Sequence, residues 1–180
     1  MAVYDKIYAD LIFPYGEENA VASFYKWMNA VFGDTYAVFF DHDGTEFTTK
    51  KLTKFPSITV QQIDTQDMVT SYIGGKNNHM QMLFYIYFNH SLKSGGTRRL
   101  LRRGRDQIMT ALKLAGVQPK GATDIIFPPI ELWDFSKSPI ASLGGYMTVS
   151  PGVQQRFIQE DDVLQQELMV SLSYMERLYT

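Results

Sequence analysis

The chain has 180 residues, 45% of them apolar and 14% aromatic, which suits one compact domain with a real core and is too short for two full ones. Its 17 basic residues against 19 acidic ones exclude a wholly basic nucleic-acid binder and a disordered acidic chain. The absence of cysteine excludes a disulfide framework, a CxxC zinc site, an iron–sulfur cluster and a cysteine nucleophile. Only His42, His79 and His90 remain as nitrogen ligands for a transition metal, and no metal or other cofactor is expected. The opening stretch MAVYDKIYADLIFP carries Asp5 and Asp10 inside its apolar run, with no basic lead-in and no small-residue cleavage site, so it does not read as a signal peptide. With no run of about 18 apolar residues either, a soluble protein made in a cytoplasm, with no membrane partner, is the expectation.

In chain order, residues 1–16 read as an amino-terminal arm and 17–180 as a single domain. From Glu17 to Gly33, Val21, Phe24, Met28, Val31 and Phe32 recur at three- and four-residue spacing. This predicts a short amphipathic helix with Asn19 as a possible cap and Gly33 as its stop. The aromatic and β-branched run Thr35–Phe40, followed by Asp43-Gly44 and Glu46–Thr49, predicts a hairpin. Ser57–Asp64 reads as a strand with one wet face or a bulge, and residues 74–78 read as loop. His79–His90 is the most apolar stretch, apolar at both alternating sets of positions, as in a central strand covered on both sides.

After Ser94-Gly95-Gly96, a long helix is predicted from Thr97 to Ala115, about 28 Å long, with Thr97 as cap and Gly116 as stop. Residues 119–155 form a long loop insertion broken by prolines and glycines, although 125–127, 131–135 and 146–149 are long enough for short strands. Such a stretch is usually functional or partner-bound. Its Phe127, Leu132, Trp133, Phe135, Ile140, Leu143 and Tyr146 either tuck under their own loop or face a partner. Alternation from Leu164 to Tyr174 predicts a final antiparallel strand at or next to a sheet edge.

Two groups of residues carry chemistry. Lys93, Arg98, Arg99, Arg102, Arg103 and Arg105 place six positive charges in a short acid-free segment; the rest of the chain then holds 11 basic and 19 acidic residues. Unpaired like charges at helical spacing repel one another, so this segment calls for a partner. Nucleic-acid phosphates are one candidate, suited to the arginine fork. The other is the acidic surface of a neighbouring copy, with Glu160, Asp161, Asp162 and Glu167 as its natural complement. A solvated helix face is the third explanation. Aromatic residues do not interleave the arginines, which speaks against single-strand stacking.

The second group is Val38-Phe39-Phe40-Asp41-His42-Asp43-Gly44-Thr45, which resembles the nucleophile motif of haloacid-dehalogenase-type phosphatases. In that family the first Asp attacks phosphorus, the second is a general acid/base and Mg²⁺ neutralises charge. The family motif ends the first strand of a parallel sheet, whereas here a helix precedes it and a second hairpin arm is expected to follow. A surface turn that reads Asp-His-Asp-Gly is the weightier explanation. A calcium loop fails because the closing glutamate is missing at the right distance.

Taken together, the order of elements resembles the tail terminator proteins of long-tailed bacteriophages, also grouped as neck, tail-completion or head-tail joining proteins. The matching features are the Phe-Pro-x-Ile-x-Val opening at Phe55–Val60, the long strand ending at His90, the helix with Arg98, Arg102, Asp106, Ile108 and Leu112, and the final strand from Leu168 to Met175. The resemblance implies an α+β fold, a mixed, mostly antiparallel sheet with two main helices packed on it in a single ring-forming domain. It also implies a structural, non-enzymatic role. A ring, typically of six copies, sits on the tail tube protein, ends tube polymerisation and meets the head-completion or connector protein, while DNA passes through. The expected location is the virion, after assembly in the host bacterial cytoplasm. Arg98, Arg99, Arg102, Arg103 and Arg105, with Glu160, Asp161 and Asp162, are the candidate inter-subunit or DNA-lumen contacts, Arg98, Arg102 and Arg105 forming one expected contact face and Arg99 with Arg103 a second. Another phage neck or baseplate adaptor is the near alternative, and a magnesium-dependent phosphatase the distant one.

Overall fold

The computed structural model describes residues 16–40, 54–72, 75–121, 123–151 and 156–178. In chain order the elements are helix α1 (Glu17–Phe32), strands β1 (Ala37–Phe40), β2 (Ser57–Tyr72) and β3 (Gly75–Ser91), a 3-10 turn at Leu92–Ser94, and helix α2 (Arg98–Leu114). Strands β4 (Glu131–Asp134), β5 (Ala141–Tyr146), β6 (Thr148–Pro151), β7 (Phe157–Glu160) and β8 (Val163–Leu178) complete the chain. The main sheet has the order β1-β2-β3-β8-β6, with β7 also paired to β8, while β4 and β5 form a separate two-stranded sheet. Within the main sheet β1 runs parallel to β2 and every other pairing is antiparallel. This is the expected α+β arrangement, a mixed, mostly antiparallel sheet with two helices.

Both helices pack on one face of the sheet. On that face β3 contributes Met80, Met82, Phe84, Ile86 and Phe88, and β8 lays Leu168, Val170, Leu172 and Tyr174 beside them, all buried. Phe24 of α1 meets Phe84 with ring centroids 5.1 Å apart and Phe40 at 6.0 Å, so one aromatic on the helix ties β1 to β3. Strand β3 sits in the middle of the sheet as its composition demanded, but it is not covered by helices on both sides. Among the described residues no helix lies on the opposite face, where Leu83, Tyr85 and Tyr87 are half-buried.

That second face is closed by polar packing instead. Asn89 is fully buried; its amide donates to Thr59 Oγ1 at 2.8 Å, and its carbonyl accepts from Gln165 Nε2 at 2.8 Å. Three strands are thus cross-linked by one side chain whose donor and acceptor are both used. Beside it, burial pushes the Tyr87 phenol well above its ordinary range, and the buried Glu167 carboxylate, which it hydrogen-bonds, pushes it further the same way.

Three expectations about individual elements change. Helix α1 is capped by Gly16, at φ 90°, and not by Asn19. Asn19 and Ser23 lie inside the helix and are buried, where they accept the backbone N–H groups of Phe135, just past β4 (3.2 Å), and of Trp133 in β4 (3.0 Å). Strand β1 pairs in parallel with β2, while the turn at Asp43-Gly44 and the second arm at 46–49 of the expected hairpin lie outside the described residues. Residues 75–78, read as loop, are strand: β2 and β3 pair from Ser57↔Asn89 out to Tyr72↔Gly75, past a bulge at Gln62/Asp64. The long insertion holds β4, β5 and β6, with Leu132 and Phe135 buried, Phe127, Trp133 and Ile140 packed against the core, and Leu143 and Tyr146 exposed.

At the carboxyl end of β4, Asp134 is buried and anchors the turn that follows. Its Oδ1 accepts from Ser136 N (3.0 Å) and Ser136 Oγ (2.5 Å), and Lys137 Nζ lies 3.2 Å from Oδ2. Burial opposes its ionisation, but the Ser136 and Lys137 contacts outweigh it and hold the carboxyl below the usual 3.8. A carboxylate with a depressed folded-state pKa stabilises fully above its unfolded pKa, and that contribution is lost as pH falls through the folded value. Asp134→Asn is therefore expected to flatten the acid limb of the stability curve below about pH 4; an unchanged acid limb in urea melts would contradict this.

Helix α2 begins as its sequence demands, with Thr97 Oγ1 accepting from Leu100 N at 3.3 Å, and ends before Gly116, which takes φ 69°. It buries Leu101, Gly104, Ile108, Ala111 and Leu112. Gly104 is there for close approach, since a Cβ at this position would lie 2.3 Å from the ring of Phe88. Gly104→Ala gains up to about 1 kcal/mol of helix propensity and loses about 1–3 kcal/mol to overpacking. The expected result in denaturant titrations is net destabilisation, larger for Gly104→Val; a more stable alanine variant would refute the close packing.

Candidate functional site

The face of α2 opposite its buried stripe carries the arginines. At about 100° per residue, Arg99, Arg102 and Arg103 point away from the sheet, while Arg98 and Arg105 lie along one flank. The contacts agree with that geometry. The guanidinium of Arg98 sits 4.4 Å above the ring of Phe157 in β7. Arg105 is only 24% exposed and donates from Nε (2.9 Å) and Nη2 (2.6 Å) to Asp106 Oδ1. Arg99, Arg102 and Arg103 are exposed and form no ion pair among the described residues. The helix thus divides its five arginines into two used within the subunit and three presented outward.

The acidic residues predicted to complement them are placed by the β7–β8 turn. Asp161 occupies the left-handed region at φ 48°, which aspartate tolerates better than most residues. Leu92 N donates to Asp162 O at 2.8 Å, so this turn is fastened to the 3-10 turn that precedes α2. Asp162 also forms a surface ion pair with Lys93 of the same chain, which raises the lysine pKa through that hydrogen bond and the attached charge. Glu160 and Asp161 remain exposed at the turn. Glu167, by contrast, is buried on the second face of the sheet beside Tyr87 and Arg156 and does not belong to this acidic surface. The two candidate sets therefore meet at one point, Lys93–Asp162, inside the subunit.

Between α2 and the end of α1 runs a groove of about 470 Å³ with Val31, Phe32 and Phe127 among its apolar walls and Arg103, Asp106 and Thr110 at its polar side. Tyr36 spans it and donates its hydroxyl hydrogen bond to Gln107 Oε1. A smaller hollow of about 200 Å³ lies on the other side of that bridge, reached by Arg103, His90 and Pro56. Burial raises the Tyr36 pKa while the nearby Arg103 charge pulls it down. Sequence reasoning missed this groove: the Tyr36–Gln107 pairing joins residues from different elements, and no spacing rule connects them.

The Asp41/Asp43 motif and His42 lie outside the described residues. The strand that leads to them, β1, ends at Phe40 and is the strand that pairs in parallel. Among the described residues no three His, Asp or Glu side chains come together as a metal site, and no helix is long and apolar enough to cross a membrane. No protein-family model matches the chain, and no curated protein matches it.

Proposed function

We propose that this chain is a structural subunit of a phage virion that assembles into a ring, of about six copies in the family it resembles, and caps the tail tube as a tail terminator. In that role it ends tube polymerisation and forms the surface to which the head joins, with DNA passing through its centre. The observation that carries the reading is the outward face of α2. Arg99, Arg102 and Arg103 stand at i, i+3 and i+4 with no acidic partner among the described residues, an arrangement of like charges that repel one another until an anion meets it. The exposed Glu160 and Asp161 lie on a different element, so a head-to-tail contact between copies can bring the two signs together, and such contacts close into rings. The element order, from α1 through the strand opening at Ser57, the long β3 and the arginine helix to the final β8, supports the same reading.

Light scattering behind a sizing column tests it. The expected result is a ring-sized mass at low salt that falls toward 20.6 kDa as salt rises and screens the contact. A monomer under every condition, in the presence of tail tubes as well, would overturn it. An enzymatic reading stands on Asp41 and the parallel β1 that precedes it, and phosphate-ester turnover abolished in Asp41→Asn would favour that reading over the ring.

A further inference from the structure

Strands β2, β3 and β8 are far longer than the strands that flank them. Strand β1 pairs with β2 only from Ser57 to Val60, and β6 with β8 only from Val170 to Ser173. Beyond those points the three long strands continue together as an arm, with Thr70 level with Asn77 and Asn77 level with Arg177. The arm has two edges. On β2, the part next to the body is closed off by the bulge at Gln62/Asp64 and by Glu17, which accepts hydrogen bonds from Gln62 and Thr65. From Gln66 to Tyr72, no strand among the described residues pairs with the outer side of β2, and none pairs with the outer side of β8 from Met175 to Leu178.

Proteins normally blunt such edges with proline, charged side chains (lysine above all) or a bulge. The segment Gln66–Tyr72 reads Gln-Asp-Met-Val-Thr-Ser-Tyr and has neither proline nor lysine, with Asp67 as its one charge and the bulge lying before it, while the β8 edge at Met175–Leu178 carries the opposite charges Glu176 and Arg177. The segment's backbone donors and acceptors are therefore a template for another strand. Because β2 and β8 are both antiparallel to β3, they run in the same direction. A copy related by rotation about an axis along the arm thus offers its β8 edge to the β2 edge of its neighbour.

We infer that the arms join copy to copy, the outer edge of β2 at Gln66–Tyr72 pairing in parallel with the β8 edge at Met175–Leu178 of a second copy of this chain. This inference rests on the ring reading and names the backbone contact that closes the ring. A twofold contact of β2 with β2 would leave the β8 edge bare in both copies, whereas the head-to-tail pairing satisfies both edges at once and leaves none in a closed ring.

The native chain has no cysteine, so introduced thiols report the contact directly. Thr70 and Arg177 of one copy are separated by β3, about 10 Å apart, beyond the roughly 7 Å that a disulfide spans. Thr70 and Arg177 of paired copies lie within reach, and Met68→Cys with Met175→Cys tests the same pairing one step along the register. Oxidation of full-length T70C/R177C or M68C/M175C is expected to give a ladder of covalent multimers on non-reducing gels that ends at the ring, with no ladder from the single-cysteine variants. Rings by light scattering that neither pair cross-links would overturn the arm contact while leaving the ring reading intact. Dimers from T70C alone would overturn it in favour of twofold pairing, and monomers throughout would remove both.

Discussion

Replacing Phe84 with alanine lowers the stability of the subunit by about 4 kcal/mol, the middle of the range for removing a buried aromatic ring. Phe84 is fully buried at the centre of β3, beneath Phe24 of α1 and beside Val170 of β8. The loss has two sources: the transfer of the ring back to water, and a cavity that the sheet is too rigid to close. Phe24 then loses its contact as well, and with it part of the link between β3 and β1. For a chain of this length the melting temperature is expected to fall by about 8–16 °C. Tyr85→Ala, one residue along and on the opposite face, is the control. Tyr85 is half-buried there and no helix lies over it among the described residues, so its truncation is expected to cost about 1 kcal/mol. Equal losses from the two variants, in thermal melts followed by circular dichroism, would mean that both faces of β3 carry core packing and that the single-layer arrangement of the helices is wrong.

The contrast between those two residues also marks where the sequence was informative. Strands and helices whose apolar residues repeat with a clear period were legible: α1, α2, β3 and β8 lie within a few residues of their predicted bounds, because burial of one face is what each pattern encodes. What the pattern could not say is which face of β3 meets a helix. Leu83, Tyr85 and Tyr87 are as apolar in composition as residues under a helix, and only the placement of α1 and α2 separates the two faces. Residues 75–78 were misread because glycine, lysine and asparagine favour turns, and pairing with both β2 and β8 overrides that preference. Asn19 looks like a capping residue; that it and Ser23 hold the backbone at Phe135 and Trp133 is a contact across more than a hundred residues of chain, outside any local signal.

The candidate site divides in the same way. That α2 presents arginines outward was legible from its period. Grouping Arg98, Arg102 and Arg105 as one contact face and Arg99 with Arg103 as another follows from the helical angle, but their environments follow from neighbours that the angle does not show. Phe157 takes Arg98 and Asp106 takes Arg105, so two of the first three are engaged inside the subunit.

The consequence is a sharper experiment on assembly. Reversing Arg99, Arg102 and Arg103 together to glutamate shifts the charge of the outward face by six and is expected to abolish the ring while leaving the fold intact. Exposed substitutions away from specific contacts cost little stability, typically within about 0.5 kcal/mol each. The acid introduced at these positions turns attraction for Glu160 and Asp161 of a neighbouring copy into repulsion. Reversing Arg98 and Arg105 is expected to act differently, lowering subunit stability by loss of the Phe157 and Asp106 contacts before any effect on assembly is read. Solution mass and melting temperature of the two variants separate these outcomes. If the outward arginines instead line a channel for DNA, the R99E/R102E/R103E variant still forms rings but loses its salt-dependent affinity for duplex DNA. Rings with unchanged mass and unchanged DNA affinity would show that the outward face of α2 has no part in assembly, and the polarity of the subunit would then need another explanation.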